Sequence, residues 1–357
     1  MAGAGARLAA GAWLLWRVPV PRPAGGGRGP VAVVVPARDE AAALPELLPG
    51  LLAARRPGDE VVVVDDGSAD GTADVAAGAG ATVVAAPPPP DGWTGKAWAC
   101  HTGVAATTAP VLVFLDADTR IASGGLDRVV AEHAAAGGLV SVQPYHLVPT
   151  AVERLSAVCN VVAMMGTDAF TPLGRRLAPI GAFGPVLVST RADYATAGGH
   201  AAVAGAVLDD VALARRYRAA GLPVTCLGGR GTVSFRMYPG GLPALVEGWS
   251  KNLSGGAAST RPVTLVLVVA WVSLLVQAPW WLLTEPVPLG LAAYAAVAAE
   301  LWWMLRRIGS FGPATAVAFP APLAAFLAVF ARSAVLRTVR RRVRWKGRDV
   351  PVRGRGT

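Results

Sequence analysis

From Pro262 to Leu283 the chain runs without one charged side chain. A helix rises about 1.5 Å per residue, so a run of that length crosses the roughly 30 Å of hydrocarbon in a bilayer. Residues 286–305 carry only Glu300, and 311–336 is a third apolar run interrupted by Pro313, Pro320 and Pro322, with Arg332 near its end. Trp280, Trp281, Trp302 and Trp303 fall at segment ends, where indole rings favour the headgroup region. The chain is 53% hydrophobic, only 16% charged and has a mean hydropathy of +0.46 over 357 residues, too apolar for an ordinary soluble domain. Part of it is therefore expected in a membrane.

The charge is equally uneven. Of a net +10, the stretch from Arg332 onward holds ten basic residues against Asp349, which is +9. The remainder is almost neutral, which argues against a nucleic-acid binder and for a basic tail held against anionic headgroups. Cys100, Cys159 and Cys226 are scattered and few, with no CxxC spacing, so they read as buried small side chains and not as a disulfide framework or a zinc site. Residues 8–16 are apolar but too short to span, and signal peptide, interfacial anchor and shortened transmembrane helix all stay open, with an uncleaved anchor favoured. The Pro/Gly/Arg-rich stretch 19–30 is a linker.

From Val31 the pattern changes. VAVVV at 31–35, EVVVV at 60–64, ATVVA at 81–85 and VLVFL at 111–115 are short unbroken apolar runs separated by helical stretches such as 42–55. Strands buried on both faces have this composition, which predicts an α/β domain with a mostly parallel sheet and helices on both faces. The run Pro87–Pro90 is expected to be a surface loop. In such a sheet chemistry collects past the carboxyl ends of strands. Asp65 and Asp66 follow one strand, and Asp116 and Asp118 follow another. Alternate residues of an extended chain share a face, so the DxD pair suits a hard divalent cation, Mg2+ or Mn2+, bridging diphosphate oxygens, although aspartate is also a common turn former at strand ends. No GxGxxG follows the first strand, and Gly92–Ala97 lacks the spacing of a phosphate loop, which disfavours dinucleotide and kinase readings. His101 and His146 read as hydrogen-bonded structural residues, because an oxygen-rich site needs neither.

PARDE at 36–40, DDGSADGT at 65–72, GWTGKAWAC at 92–100, DAD at 116–118 and the pair Asp209–Asp210 occur in one order. Together they resemble the inverting family 2 glycosyltransferases of GT-A fold. RMYPGG at 236–241, EGWSKN at 247–252 and WKGR at 345–348 narrow the resemblance to membrane-bound lipid glycosyltransferases, the group containing the 4,4'-diaponeurosporenoate, hopene-associated and, more distantly, ceramide enzymes. The resemblance implies that Pro36, Ala37, Asp39 and Asp66 line the nucleoside pocket and that Lys96 lies near the diphosphate or donor sugar. It implies that Asp118 coordinates the metal, with Asp116 on the ribose or behind the ion. The family has Glu-Asp where this chain has Asp209–Asp210, and its second acid is the base. Asp210 thus takes that role, with Asp209 a shortened substitute. Both would also suit a helix N-terminus.

Processive synthases of the family carry Gln-x-x-Arg-Trp after the base helix, and residues 247–252 do not match it. A polymerizing or polyprenyl-linked glycan synthase is therefore the weaker reading, and intact acids argue against a non-catalytic membrane scaffold. Trp249 either stacks on the acceptor or holds an interfacial helix. The apolar stretch 155–169 with Met164 and Met165 is either a core helix or a wall for a greasy acceptor, leading into Arg175 and Arg176. The expected organisation is an anchor and linker at 1–28, a catalytic domain at 29–240, an interfacial helix at 241–261, membrane helices at 262–337 and a basic tail at 338–357. A cytoplasmic catalytic domain and tail need an even number of crossings after Arg261, so 311–336 is expected to be re-entrant or interfacial. The expected reaction moves one sugar from a nucleotide diphosphate donor, a UDP-hexose, to a terpenoid, carotenoid, hopanoid or sphingolipid-like acceptor in the cell membrane.

Overall fold

The computed structural model describes residues 3–23, 25–337, 342–345 and 348–351; the rest of the basic tail, with the centre of WKGR, lies outside the described residues. The chain forms two compact units, one of Pro19–Tyr145 and Gly181–Arg236, the other of Met1–Val18, His146–Ile180 and Met237–Thr357. The helix α1 (Ala4–Leu14) opens the second of these.

The first unit is the sheet unit. It contains β1 (Val31–Ala37), α2 (Leu44–Ala53), β2 (Glu60–Asp65), α3 (Thr72–Gly78), β3 (Thr82–Ala85), α4 (Gly95–Ala105), β4 (Val111–Leu115), β5 (Thr119–Ile121), α5 (Gly125–Ala136) and β6 (Leu139–Gln143). After the short strand β7 (Tyr145–His146) and the helices α6 (Ala151–Arg154) and α7 (Ala157–Met165), it resumes with β8 (Val186–Thr190), α8 (Arg191–Thr196), α9 (Asp209–Ala219), β9 (Val224–Gly228) and β10 (Val233–Phe235). Seven strands form one sheet in the order β3-β2-β1-β4-β8-β6-β9.

Alternation along β1 explains the unbroken valines. Val31, Val33 and Val35 pack with Leu44, Leu47, Leu48 and Leu51 of α2 on one face. Ala32 and Val34 face Ala99 and Cys100 of α4 on the other, where Leu213 and Tyr217 of α9 continue the layer. Both faces are covered, so neither can carry polar residues. The α4 layer is tight: a Cβ on Gly103 would stand 2.4 Å from Val34 and 2.9 Å from Val64. All three cysteines are free and buried.

The GT-A α/β architecture expected from the sequence is present, with one strand reversed. β8 pairs antiparallel with both β4 (Leu115↔Val186) and β6, whereas β1–β2, β1–β4, β2–β3 and β6–β9 are parallel. The chain therefore enters β8 from the end of the sheet at which β4 finishes, and the preceding loop 181–185 is placed beside Asp116.

The second unit is helical. It groups 146–180, which the sequence assigned to the catalytic stretch 29–240, with α10 (Gly241–Ser259), α11 (Pro262–Thr284), α12 (Val287–Ile308), α13 (Gly312–Val317) and α14 (Pro320–Val335). Residues 342–345 and 348–351 pair as the antiparallel strands β11 (Arg342–Trp345) and β12 (Arg348–Pro351). Among the described residues two helices, α11 and α12, are long and apolar enough to cross a membrane. They expose Val263 (72%), Leu283 (78%) and Val287. The third run breaks between α13 and α14, and the 16 residues of α14 reach only about 24 Å, short of a hydrocarbon core.

The N-terminal helix α1 belongs to this bundle. Arg7 Nη1 donates to Gln277 Oε1 at 3.0 Å, and Gly11 leaves room for Trp271, whose Nε1 donates to Glu300 Oε2 at 3.1 Å. Past the helix, Arg307 donates to the carbonyls of Leu15 (2.7 Å) and Trp16 (2.9 Å). Arg261, at the cap of α11, donates to buried Asp168 at 2.8 Å, and Ser333 of α14 donates to the Ser250 carbonyl of α10 at 2.6 Å.

Candidate active site

The acids sit past the carboxyl ends of β1, β2 and β4, the three strands at the centre and one side of the sheet. The loops after β1 and β2 are tied together. Asp39 takes φ +51°, a left-handed conformation that aspartate tolerates better than most residues. In it the Asp39 N–H donates to Ser68 Oγ (3.0 Å), and its carboxylate accepts from the Ala69 N–H (2.9 Å). Asp65 accepts from the Ser68 N–H and hydroxyl, while Asp70 accepts from the N–H groups of Ala41 (3.0 Å) and Thr72 (3.1 Å). Arg38, between Ala37 and Asp39, donates to the Asp66 carbonyl at 2.6 Å and lies 3.7 Å from its buried carboxylate. Pro36 lies beyond the last β1–β4 pair, Val34↔Phe114, so its missing N–H costs that ladder nothing. Pro36, Ala37, Asp39 and Asp66 are thus one structured corner.

The second cluster gathers four of the expected residues. Lys96 lies in the first turn of α4, behind the N-cap Thr94 whose hydroxyl accepts from the Ala97 N–H. A cation there works against the helix dipole. Asp116, the first residue past β4, offsets this: its Oδ1 is 2.6 Å from Lys96 Nζ. Burial opposes the charge on Lys96, but Asp116 and then Asp209 outweigh it and raise its pKa. Asp209 and Asp210 open α9, where the dipole favours them; the N-cap position itself is Leu208. Asp210 Oδ2 accepts from the Gly184 N–H (2.9 Å) and Oδ1 from its own Val211 N–H (2.8 Å). Burial and the Asp209 charge push the Asp210 carboxyl up to about 6, against the pull of Lys96 and the two amides. Asp118 is half-buried in the turn between β4 and β5.

His101 lies one helical turn past Lys96, its ring 5.5 Å from Trp98 and 5.1 Å from Trp93. Trp98 Nε1 holds the proline loop by donating to the Pro87 carbonyl at 2.8 Å. In the helical unit, Trp249 of α10 is buried 6.3 Å from the Tyr238 ring, and Met164 and Met165 of α7 are buried. Gly184 and Ser141 fall in no sequence motif and act through backbone groups, and Cys226, buried as expected, lies beneath the 181–185 loop with its thiol donating to the Gly181 carbonyl.

A mixed α/β sheet with carboxylates past β1, β2 and β4, one paired lysine and a raised aspartate at a helix N-terminus has the architecture of a GT-A glycosyltransferase. Residues 32–154 match the glycosyl transferase family 2 profile. The 4,4'-diaponeurosporenoate glycosyltransferase of Staphylococcus haemolyticus is 35% identical over 246 residues, 68% of this chain and 65% of that protein, so this alignment spans just under two thirds of the relative's length. The enzyme of the same name from Staphylococcus aureus is 32% identical over 332 residues, 90% of this chain and 88% of that one. The chain belongs to glycosyltransferase family 2. Its fold is similar to that of the mannosyltransferase PcManGT from Pyrobaculum calidifontis, solved with GDP-Man and Mn2+, at a TM-score of 0.60, 22% identity and 95% coverage of both chains.

Proposed function

We propose that this glycosyltransferase is embedded in the cell membrane by α11 and α12 and transfers one sugar, with inversion, from a nucleotide diphosphate donor to a lipid acceptor. The observation that carries the reading is the cluster of Lys96, Asp116, Asp209 and Asp210. The nucleoside takes the corner of Pro36, Ala37, Asp39 and Asp66, and Lys96 meets the diphosphate. UDP-hexose is the proposed donor. The names of the staphylococcal relatives support a carotenoid-like acceptor.

A divalent cation, Mg2+ or Mn2+, fits the donor set only as part of a complex with the donor. Among the described residues no three His, Cys, Asp or Glu side chains cluster as a ready cage, and Asp116 is already balanced by Lys96. Asp118 would hold the ion together with diphosphate oxygens, in keeping with an ion that retains few protein ligands. Bound there, the cation supplies charge stabilisation to the departing nucleotide diphosphate.

Asp210 accepts the proton of the acceptor hydroxyl. The two amides hold both of its oxygens in place, and a carboxyl near 6 is a stronger base than an ordinary aspartate while still ionised at neutral pH. Lys96 keeps its proton throughout and meets negative charge developing on the leaving group. A catalytic unit and tail on the cytoplasmic side complete the proposal.

One observation favours a second reading of the acceptor. The relatives' name ends in a carboxylate, and a carboxylate nucleophile carries no proton for a base to remove. Transfer would then survive loss of Asp210. Lipids extracted from cells carrying the wild-type gene, the Asp210→Asn gene or neither decide the case. A lipid heavier by one hexose in the first strain alone is expected. No such lipid in any strain would contradict the function, and equal amounts in the first two would move the acceptor from hydroxyl to carboxylate.

A further inference from the structure

We propose that the loop Gly181–Pro185 is the element that positions Asp210 against the donor side of the site, with Gly184 and Ser141 as its positioning residues. The inference rests on the reading of Asp210 as the base.

The loop is held at four of its five residues. Cys226 Sγ of β9 donates to the Gly181 carbonyl at 3.5 Å. Ser141 of β6, fully buried, accepts from the Phe183 N–H at 2.6 Å and donates to the Phe183 carbonyl at 3.0 Å. One hydroxyl thus holds both polar groups of a single residue, which sets the plane of the next peptide and so the direction of the Gly184 N–H. That N–H donates to Asp210 Oδ2 at 2.9 Å. The following carbonyl, of Pro185, accepts from the Asp116 N–H at 2.9 Å. Consecutive residues therefore contact the base on one side and the backbone of the DxD acid on the other.

Consecutive Cα atoms stand about 3.8 Å apart across a rigid trans peptide, so this link leaves the separation of base and donor little freedom. In-line displacement needs the base on the face opposite the leaving group, and about 1 Å of misplacement can cost on the order of 100-fold in rate. Gly184 also has to lack a side chain. A Cβ there would lie 3.3 Å from both Asp210 Oδ2 and Lys96 Nζ, tighter than ordinary contact, so a methyl presses the base and the cation apart. No positive φ is involved, so alanine is otherwise tolerated at this position.

The groups that face Asp210 are Asp209 on its own helix, Lys96 on α4 and the Cys226 thiol on β9, together with the Gly184 and Val211 amides. Weakening the Gly184 amide contact removes a stabiliser of the ionised form. The acid limb of the turnover profile then moves to higher pH, a change that a purely structural lesion does not produce.

The test uses full-length protein in vesicles of total lipid extract, with UDP-glucose turnover and UDP affinity measured across pH. Ser141→Ala and Gly184→Ala are expected to lower kcat by about 10- to 100-fold, to leave UDP affinity within about threefold, and to raise the pH of the acid limb. Ser141→Cys, which keeps a weak donor and acceptor, is expected to fall between wild type and Ser141→Ala, and it carries the test if the alanine variant does not fold. Wild-type kcat in the loop variants, or a fall in kcat matched by an equal fall in UDP affinity with an unmoved acid limb, overturns the proposal. Asp210→Asn separates the two levels. If it retains turnover, the base assignment is wrong; if it is inactive while the loop variants behave as wild type, only the role of the loop falls.

Discussion

The acid site and the helical unit differ in how completely they satisfy their polar groups. At the site, Asp39, Asp65, Asp70 and Asp210 each accept from backbone N–H groups, and Asp116 is paired with Lys96. The helical unit leaves Trp249 Nε1, Ser250 Oγ, Thr171 Oγ1 and Glu300 Oε1 buried without a hydrogen-bond partner, and covers much of its outside with apolar side chains. Charges that must act on a transition state are held in advance, which removes reorganisation from the chemical step. The helical unit instead combines a few hydrogen bonds between its segments, such as Arg261–Asp168 and Ser333–Ser250, with close packing of apolar side chains.

The sharpest way to break this contrast is to neutralise the proposed base. Asp210→Asn is expected to lower turnover by about 100- to 10,000-fold while UDP affinity, measured by calorimetry, stays within a few fold. Activity close to wild type would remove Asp210 from the chemistry. On the donor side, Asp118→Ala is expected to abolish the difference between UDP titrations performed with Mg2+ or Mn2+ and with chelator. Equal affinities with and without the ion in the wild type would make the DxD pair a simple turn.

How far these residues could be read from sequence depends on how local their geometry is. Asp116 and Asp118 were legible because an apolar run names a buried strand, and the residues after that strand must emerge at the sheet's end. Asp209 and Asp210 were legible as the acidic opening of an amphipathic helix. The Lys96–Asp116 pair was not, since it depends on α4 packing against β1 and β2. Nor was the reversal of β8, because a short apolar run such as VLVST suits a parallel or an antiparallel neighbour alike. Gly184 contributes a backbone N–H, which every non-proline residue has. The grouping of 146–180 with the helices also escaped, because the partners of Asp168 are Arg261 and Thr264, far along the chain.

Smaller effects test the helical side. Met164 is buried, so Met164→Ala is expected to cost about 2–5 kcal/mol of stability, read from thermal unfolding, with UDP affinity unchanged. An unaltered melting temperature with a raised Michaelis constant for lipid would instead make Met164 part of the acceptor wall. The smallest shift comes from pH. The Asp210 pKa rises on folding from the usual 3.8 to about 6, so the folded state holds this proton more tightly than the unfolded chain. Its contribution to stability therefore declines as pH rises from about 4 through about 6 and levels off above, whereas activity rises over the same window as the base ionises. Asp210→Asn is expected to flatten this dependence and to melt slightly higher than wild type at pH 7.

The proposed role of Asp210 as the base implies a single displacement. The anomeric configuration of the sugar in the isolated lipid product, read by NMR from the coupling of its anomeric proton and compared with that in the nucleotide donor, tests this most directly. The account predicts one hexose per lipid with inverted configuration, and retention would contradict it.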